Sequence, residues 1–501
     1  MRLKAKLSSI DAAGKIIIIL DKSDAAELGL SALDRVVLKK RSKKITALIN
    51  VAEKSVHPGY FIAYKKVAEM LNLKNGDIVE LSPREELISK QYIRKKVDGG
   101  ELNYKEALMI VKDIIDRDLN DLELSSFITA LYIYGLSMNE NVALSKAMIA
   151  TGKRMKFHGT VVDKHSVGGV PGDKTSILLV PIIASRGLTI PKTSSRSITS
   201  PAGTADRMEV LAPVELDTAD IKRVVKKTNA CLVWGGALEL APADDLFIQI
   251  ENPLRMDPLI LPSVMSKKKS VGSKYVVIDI PMGPEAKIID KKQGENLASE
   301  FISLGKQLKM DVDCAITRGD QPIGYAVGPA LEAREALETI IDIERSPELV
   351  DKVTTLAGML LKMVKKGNKK TALDILKKGK AENKLREIIG AQGGDSDIRP
   401  EDIELGKYCI GIKSKSTGFV VGIHNQIISA IAKTAGCPKD KKSGVLLYKK
   451  INDRVKKDEI LFTIYAEKKR KLSEAVKIAQ KMNAFEFMDN KRRPVLVEKI
   501  R

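Results

Sequence analysis

The stretch KHSVGGVPGDKTS, residues 164–176, decides how the rest of the chain is read. Gly168, Gly169 and Gly172 tolerate positive φ, which lets successive backbone N–H groups converge on one anion. Lys164 adds a formal charge, and Ser166, Thr175 and Ser176 add hydroxyl donors. The apolar run ILLVPIIASRG follows at once. A helix starting there would turn its partial positive charge toward the loop. The G-x-x-x-x-G-K-[ST] spacing of a Walker loop is absent, and taken alone the segment fits an ordinary surface turn equally well.

A second polar cluster, TSSRSITSPAGTAD, occupies residues 193–206, with Ser194, Ser195, Arg196, Ser197, Thr199, Ser200 and Thr204 around Gly203. One hydroxyl-rich loop usually means a turn. Two of them, each beside an apolar element and each carrying a cation, point to two anions or to one extended anionic ligand.

Around these loops the texture is α/β from residue 158 onward. Apolar runs such as TSILLVPIIASRGL, ACLVWGG, LFIQI and KYVVIDIPMG alternate with helical patterns such as TADIKRVVKKTN and GENLASEFISLGKQL, which predicts a mainly parallel, covered sheet. Upstream, residues 85–157 carry helix-spaced apolar positions (Ala107, Leu108, Val111, Ile114, Ile115) and a break at Gly135–Ser137, as in an antiparallel bundle. Residues 1–84 read as short strands, KIIIIL and GDIVELS among them, with a short helix near YKKVAEMLNL. From 408 to 501 strands and turns return, ending in the helix KRKLSEAVKIAQKM. The expected fold class is therefore multidomain α/β: a β-rich N-terminal domain (1–84), a helical domain (85–157), a central α/β domain (158–407) and a C-terminal α+β domain (408–501).

Composition narrows the function. A chain of 501 residues is too long for one core. No apolar run reaches the roughly 20 residues of a membrane span, and MRLKAKLSSIDAAGK lacks the apolar core of a signal peptide, so a cytoplasmic protein is expected. Cys231, Cys314, Cys409 and Cys437 lie far apart, which favours buried free thiols over a zinc site or disulfides. Lys plus Arg number 85 against 64 Asp plus Glu, a formal charge of +21. The lysines are spread over helical patterns such as MVKKGNKKTALDILKKGKAENK, and aromatics make up only 4%. That reads as solvated helix faces and expects no nucleic-acid partner; a basic nucleic-acid-binding protein is the rival from another class.

The motifs KHSVGGVPGDKTS, SPAGTADRMEVL, ELAPADD, LPSVMSKKKSVGSKYVVIDIPMG and QPIGYAVGPALEA, in this order, resemble the thymidine/pyrimidine-nucleoside phosphorylase family. Within it the archaeal branch acting on AMP is the most similar, the extension at 1–84 being its mark. The resemblance implies phosphorolysis of nucleoside 5′-monophosphates: phosphate attacks the anomeric carbon of AMP, giving adenine and ribose 1,5-bisphosphate, with CMP and UMP as further substrates. It implies inorganic phosphate as co-substrate, no cofactor and no metal, and a homodimer or larger homo-oligomer with the active site between helical and α/β domains. Carried over position by position, Lys164, Ser166, Ser176, Ser194 and Thr204 bind phosphate. Gly169, Ser195, Arg196, Ser197, Ile198, Thr199, Ser200, Thr204, Ser263 and Lys287 bind AMP, and Asp257 is the proton donor. His165 is read as an orienting or packing residue. Asp257 suits its role only if burial raises its pKa from about 4; as an alternative it caps the helix after Pro258.

Departures from the nucleoside enzymes distinguish the substrates. Ser195–Ser200 replaces a glycine-rich segment and offers donors to a 5′-phosphate. Glu251 falls where thymidine phosphorylases place an arginine on the pyrimidine carbonyl, and a carboxylate cannot donate that bond, which counts against thymidine. Lys267 still matches the pyrimidine-pocket lysine. Pro171 is an insertion, and the Asp257–Ser263 spacer is about two residues short. Pyrimidine nucleoside (thymidine) phosphorylase, or a phosphoribosyltransferase of the anthranilate type, is the rival within the same class.

Overall fold

The computed structural model describes all residues except 13, 85, 198, 199, 255, 491–497 and 501. The chain forms two compact units, Met1–Gly135 and Leu136–Arg501.

The first unit opens with a closed six-stranded barrel. Alternation builds it. In Arg2–Leu7 the residues Leu3 and Ala5 point inward, in Ile17–Asp21 Ile18 and Leu20 do, and all four join Val36, Leu38, Ile49, Phe61, Val79 and Leu81 in one core. Three helices follow, Ile88–Val97, Tyr104–Ile115 and Asp121–Tyr134. The second and third begin at capping boxes, Asn103 with Glu106 and Asn120 with Glu123. Gly135, at φ 66°, closes the last of them, as its sequence position foretold.

The second unit contains the parallel sheet. Strands Val162–Ser166, Tyr275–Met282 and Asp311–Arg318 lie side by side and parallel, with Glu498–Ile500 antiparallel at one edge. A second parallel pair, Ile190–Ser194 with Ala230–Trp234, adjoins it through a parallel bridge between Val161 and Thr189. Two apolar runs grouped with the strands are helical. TSILLVPIIA forms Thr175–Ala184, all ten residues buried, the helix that the loop reading expected, and LFIQI lies within Pro242–Leu254. A five-residue apolar run has no period of its own; Asp244 and Asp245, which suit a helix N-terminus, start the second one.

C-terminal strands form two antiparallel sheets around Phe462, Ile464 and Phe485, with helices Asn425–Ala435 and Lys469–Lys481. Of the four free cysteines Cys409 is exposed, contrary to the expectation of burial, because its strand Tyr408–Lys413 is a sheet edge. Among the described residues no helix is long and apolar enough to cross a membrane.

Candidate active site

Strand polarity brings the two polar loops together. Val162–Ser166 and Ile190–Ser194 are joined in parallel sense through Val161 and Thr189, so Ser166 and Ser194 end their strands on the same edge of the sheet. The carboxyl edge of a parallel α/β sheet is where strands stop, helix N-termini begin and ligands collect.

In the first loop Gly168, Gly169 and Gly172 have φ of 79°, 93° and 81°. Pro171 and Gly172 are the central pair of a turn, Gly172 taking the positive φ. The inserted proline is buried, and its carbonyl accepts the Ile323 N–H at 3.0 Å. A Cβ on Gly172 would meet Ile323 O at 2.5 Å. Pro171 therefore fastens the loop to the chain beneath it. Lys174 does the same: fully buried, it pairs with Glu335 at 2.5 Å and donates to Ile323 O at 2.8 Å. The helix Thr175–Ala184 is anchored by every residue it has, and burial of each Ile, Leu or Val stabilises it by roughly 1.5–3 kcal/mol. Ser176 in its first turn is buried with it.

Lys164 is held differently. It is buried, yet its ammonium stands 3.6 Å from Asp173 and 3.4 Å from Asp279, beyond good hydrogen-bond length. Asp279 is also bound by Lys352 at 3.0 Å and accepts the Thr317 hydroxyl at 2.6 Å. Burial works to raise the Asp173 carboxyl, but Lys164, Lys352 and Arg207 outweigh it and keep it far below the usual range. Behind Lys164, Asp163 pairs with Lys268 at 2.7 Å and lies 3.8 Å from Lys192. Burial, reinforced by Lys268, pushes Lys192 down to about 7. Lys164, Lys192, Lys268 and Lys352 thus face Asp163, Asp173 and Asp279, a set that an arriving anion would balance. Burial, and after it Lys268, Lys192 and Lys164, keep His165 neutral.

The second loop is folded onto one carboxylate. Asp206 accepts the N–H of Ser197 at 2.6 Å and of Gly203 at 2.7 Å. A Cβ on Gly203 would stand 2.5 Å from the Ser195 carbonyl oxygen, so only glycine closes this loop. Ser194 donates to Val233 O at 3.1 Å, and Ser200 to Ala202 O at 2.9 Å. Ser195 is exposed, and Thr204 opens the short helix Thr204–Met208 with its hydroxyl accepting from Arg207 at 3.3 Å. Arg196 is engaged by acids: Glu209 and Glu215 each at 2.7 Å and Asp206 at 3.4 Å, with the guanidinium over the Trp234 ring. Ile198 and Thr199 lie outside the described residues.

A third segment completes the edge. After Tyr275–Met282 the chain turns back at Gly283–Ile288, and Lys287 packs its main chain against Gly169. Lys287 is ion-paired with Asp257. Gly169, Lys287 and Asp257, far apart in sequence, are thereby brought together. Asp257 keeps 37% of its side chain exposed, so the burial expected for it is not found. Ser263 lies in the first turn of Ile260–Ser270, and its N–H bonds Leu259 O at 2.9 Å.

The buried carboxyl is its neighbour. Glu251 is 6% exposed, and burial, then Asp257 and Asp244, push it up to about 8. A carboxyl raised this far carries a proton that it can donate, a state the sequence reading of Glu251 as a carboxylate did not consider. Lys267 is ion-paired with the buried Asp244. Sequence reasoning missed Lys192, Asp206, Asp279 and Lys352. Asp279 left a signal: an acid within the apolar strand YVVIDIPM.

Comparison with known proteins agrees with this architecture. Residues 158–382 match the model of the glycosyl transferase family, a/b domain, residues 90–152 its helical bundle domain, and residues 419–486 the pyrimidine nucleoside phosphorylase C-terminal domain. Anthranilate phosphoribosyltransferase from Thermus thermophilus shares the fold at TM-score 0.50 and 18% identity, over 60% of this chain and 98% of that one. The AMP phosphorylase of Pyrococcus furiosus is 47% identical over 492 residues, covering 96% of this chain and 97% of the relative. That of Thermofilum pendens is 44% identical over 482 residues, covering 96% and 94%. The chain belongs to the AMP phosphorylase family.

Proposed function

We propose that this protein catalyses phosphorolysis of AMP, giving adenine and ribose 1,5-bisphosphate. The observation that carries the reading is the common edge of Ser166 and Ser194, with the first of their donor-rich loops packed through Gly169 against Lys287, the partner of Asp257. Inorganic phosphate is assigned to the first loop, with Lys164 as its cation and Ser166, Ser176, Ser194 and Thr204 as hydroxyl donors. Holding the nucleophile in line with the anomeric carbon removes much of the entropic cost of the encounter. Developing positive charge on the ribose is stabilised by the phosphate oxygens themselves, while the departing adenine needs a proton or a donor.

Asp257 is assigned the proton. In the free protein Lys287 is its counter-ion. An incoming 5′-phosphate offers Lys287 a stronger partner, which frees the Asp257 carboxyl to face the departing base.

The test is orthophosphate-dependent release of base from AMP, CMP, UMP, adenosine and thymidine. AMP is expected to be fastest. Faster release from thymidine than from any monophosphate would overturn the reading. Exposed Leu122, Tyr132, Ile133 and Tyr134 on Asp121–Tyr134 supply an apolar face for a second copy, and sedimentation of the intact protein tests that assembly.

A further inference from the structure

Lys450 is a buried cation that the phosphorolysis reading leaves without a role. It is 6% exposed and lies just after the C-terminal strand Gly444–Leu447. A buried ammonium is costly unless oxygens meet its donors. Here they are supplied by one short segment of the α/β domain: Lys450 donates to Pro322 O and, at 3.0 Å, to Gly324 O, with Glu348 Oε2 at 3.4 Å as counter-ion. Neighbouring groups grip the same segment. The Ile451 N–H donates to Gln321 Oε1 at 2.9 Å, and the Gln321 amide donates to Glu348 at 3.2 Å. The Leu447 N–H donates to Tyr325 O at 2.8 Å, and Gly444–Leu447 pairs antiparallel with Ala326–Val327.

That segment also seats the first polar loop. Lys174 donates to Ile323 O at 2.8 Å and to Ala326 O at 3.3 Å, and the Ile323 N–H donates to Pro171 O at 3.0 Å. Carbonyls 322 and 324 therefore serve Lys450, while carbonyls 323 and 326 serve Lys174. Each lysine has its own glutamate, Glu348 for the one and Glu335 for the other. Gly172 rests directly on the segment, since a Cβ there would meet Ile323 O at 2.5 Å and Ala326 O at 2.9 Å. With no side chain between the two backbones, a shift of residues 321–326 carries the loop with it.

We propose that Lys450 is a positioning residue for inorganic phosphate: it fixes the segment 321–326 on which Pro171, Gly172 and Lys174 seat the phosphate loop. The C-terminal sheets thereby set the geometry of a site in the α/β domain, acting through that segment and not by contact with the substrate. The assignment of phosphate to the loop rests on the phosphorolysis reading, and the clasp of Lys450 on the segment rests on the hydrogen bonds.

Titration calorimetry of inorganic phosphate into the full-length protein tests Lys450 without turnover. Lys450→Met removes the ammonium at similar volume and should weaken phosphate binding about tenfold, the loss expected when one charge-assisted hydrogen bond to the anion is misplaced. In base release from AMP the same variant should raise the KM for phosphate several-fold more than the KM for AMP. Phe485→Leu, in the C-terminal core but paired with Ile423 and not with the segment, should lower the melting temperature and leave phosphate affinity unchanged. Equal phosphate affinity of wild type and K450M, absence of phosphate binding by the wild type, an equal rise in both KM values, or the same loss of phosphate affinity in F485L overturns the proposal. If K450M fails to fold, the double variant Lys450→Met with Glu348→Gln, which leaves no buried charge facing an apolar side chain, takes its place with the same expected loss. Failure of the wild type to release base from AMP while it still binds phosphate would remove the phosphorolysis reading, and the titration would still decide Lys450.

Discussion

A Cβ on Gly169 would lie 2.8 Å from the backbone nitrogen of Lys287, so the two loops touch main chain to main chain. Gly169 also sits at φ 93°, where L side chains are strained. Gly169→Ala should therefore displace the Lys287 segment rather than merely fill space. A shift of about 1 Å at a positioning element costs roughly 10²-fold in rate. The expected result is a loss of that order in kcat/KM for AMP with an unchanged circular dichroism spectrum, measured by base release.

Lys174 and Glu335 form the anchor under the same loop. Glu335 accepts the N–H groups of Tyr325 and Ala326 at 2.9 Å and 2.7 Å besides pairing with Lys174. Lys174→Met leaves that carboxylate buried without its cation, which costs about 3–5 kcal/mol. The unfolding midpoint should drop accordingly, and the KM for phosphate should rise because the loop loses its footing. Adding Glu335→Gln should recover part of the stability, since the neutral amide needs no cation.

Much of this was legible in the sequence for local reasons. Glycines, hydroxyls and apolar runs are short-range signals, so the two loops, the short N-terminal strands and the break at Gly135 could be read directly. What escaped depends on distant pairing. Arg196 reads as a free cation until Glu209 and Glu215 are seen against it, 13 and 19 residues away. Burial is what the role given to Asp257 calls for and what its apolar neighbours cannot show in sequence; the buried acid is Glu251, on the helix Pro242–Leu254. Sequence lists charges; only packing decides which of them keep water.

The loop carrying Lys287 is pinned from the C-terminal sheets by a pH-sensitive contact. Glu285 accepts from the Gln426 N–H at 2.7 Å and binds His424 Nδ1 at 2.7 Å, while His424 Nε2 meets Glu486 at 3.0 Å. The hydrogen bond to Glu285, against some desolvation, raises the His424 pKa above 6.5. A raised histidine contributes stability that is fully present below its unfolded value and is lost as pH rises through the folded value. His424→Ala should consequently lower the melting temperature more at about pH 5.5 than at about pH 8.5. Equal losses at both pH values would show that packing alone is at work.

Arg196 is the residue where expectation and geometry part most sharply. The resemblance assigns it to AMP, but its guanidinium already serves Glu209, Glu215 and Asp206 and lies on Trp234. The hydrogen bond from Arg196 holds Glu209 down at about 2, Lys441 assisting and burial opposing. A depressed carboxylate gives stability that exists above the unfolded value near 4.5 and disappears as pH falls through the folded one. The difference in stability between wild type and Arg196→Ala should thus be greatest near neutrality and shrink between about pH 4.5 and about pH 2. The same substitution frees the second loop, to which the proposed function assigns Ser194 as a substrate donor. AMP and adenosine should therefore lose kcat/KM by the same factor, about tenfold or more, as expected for misplaced donors. A loss confined to AMP would mean that Arg196 leaves its acids to grip the 5′-phosphate. Arg196→Lys should rescue little, because an ammonium cannot bridge two carboxylates while stacking on an indole.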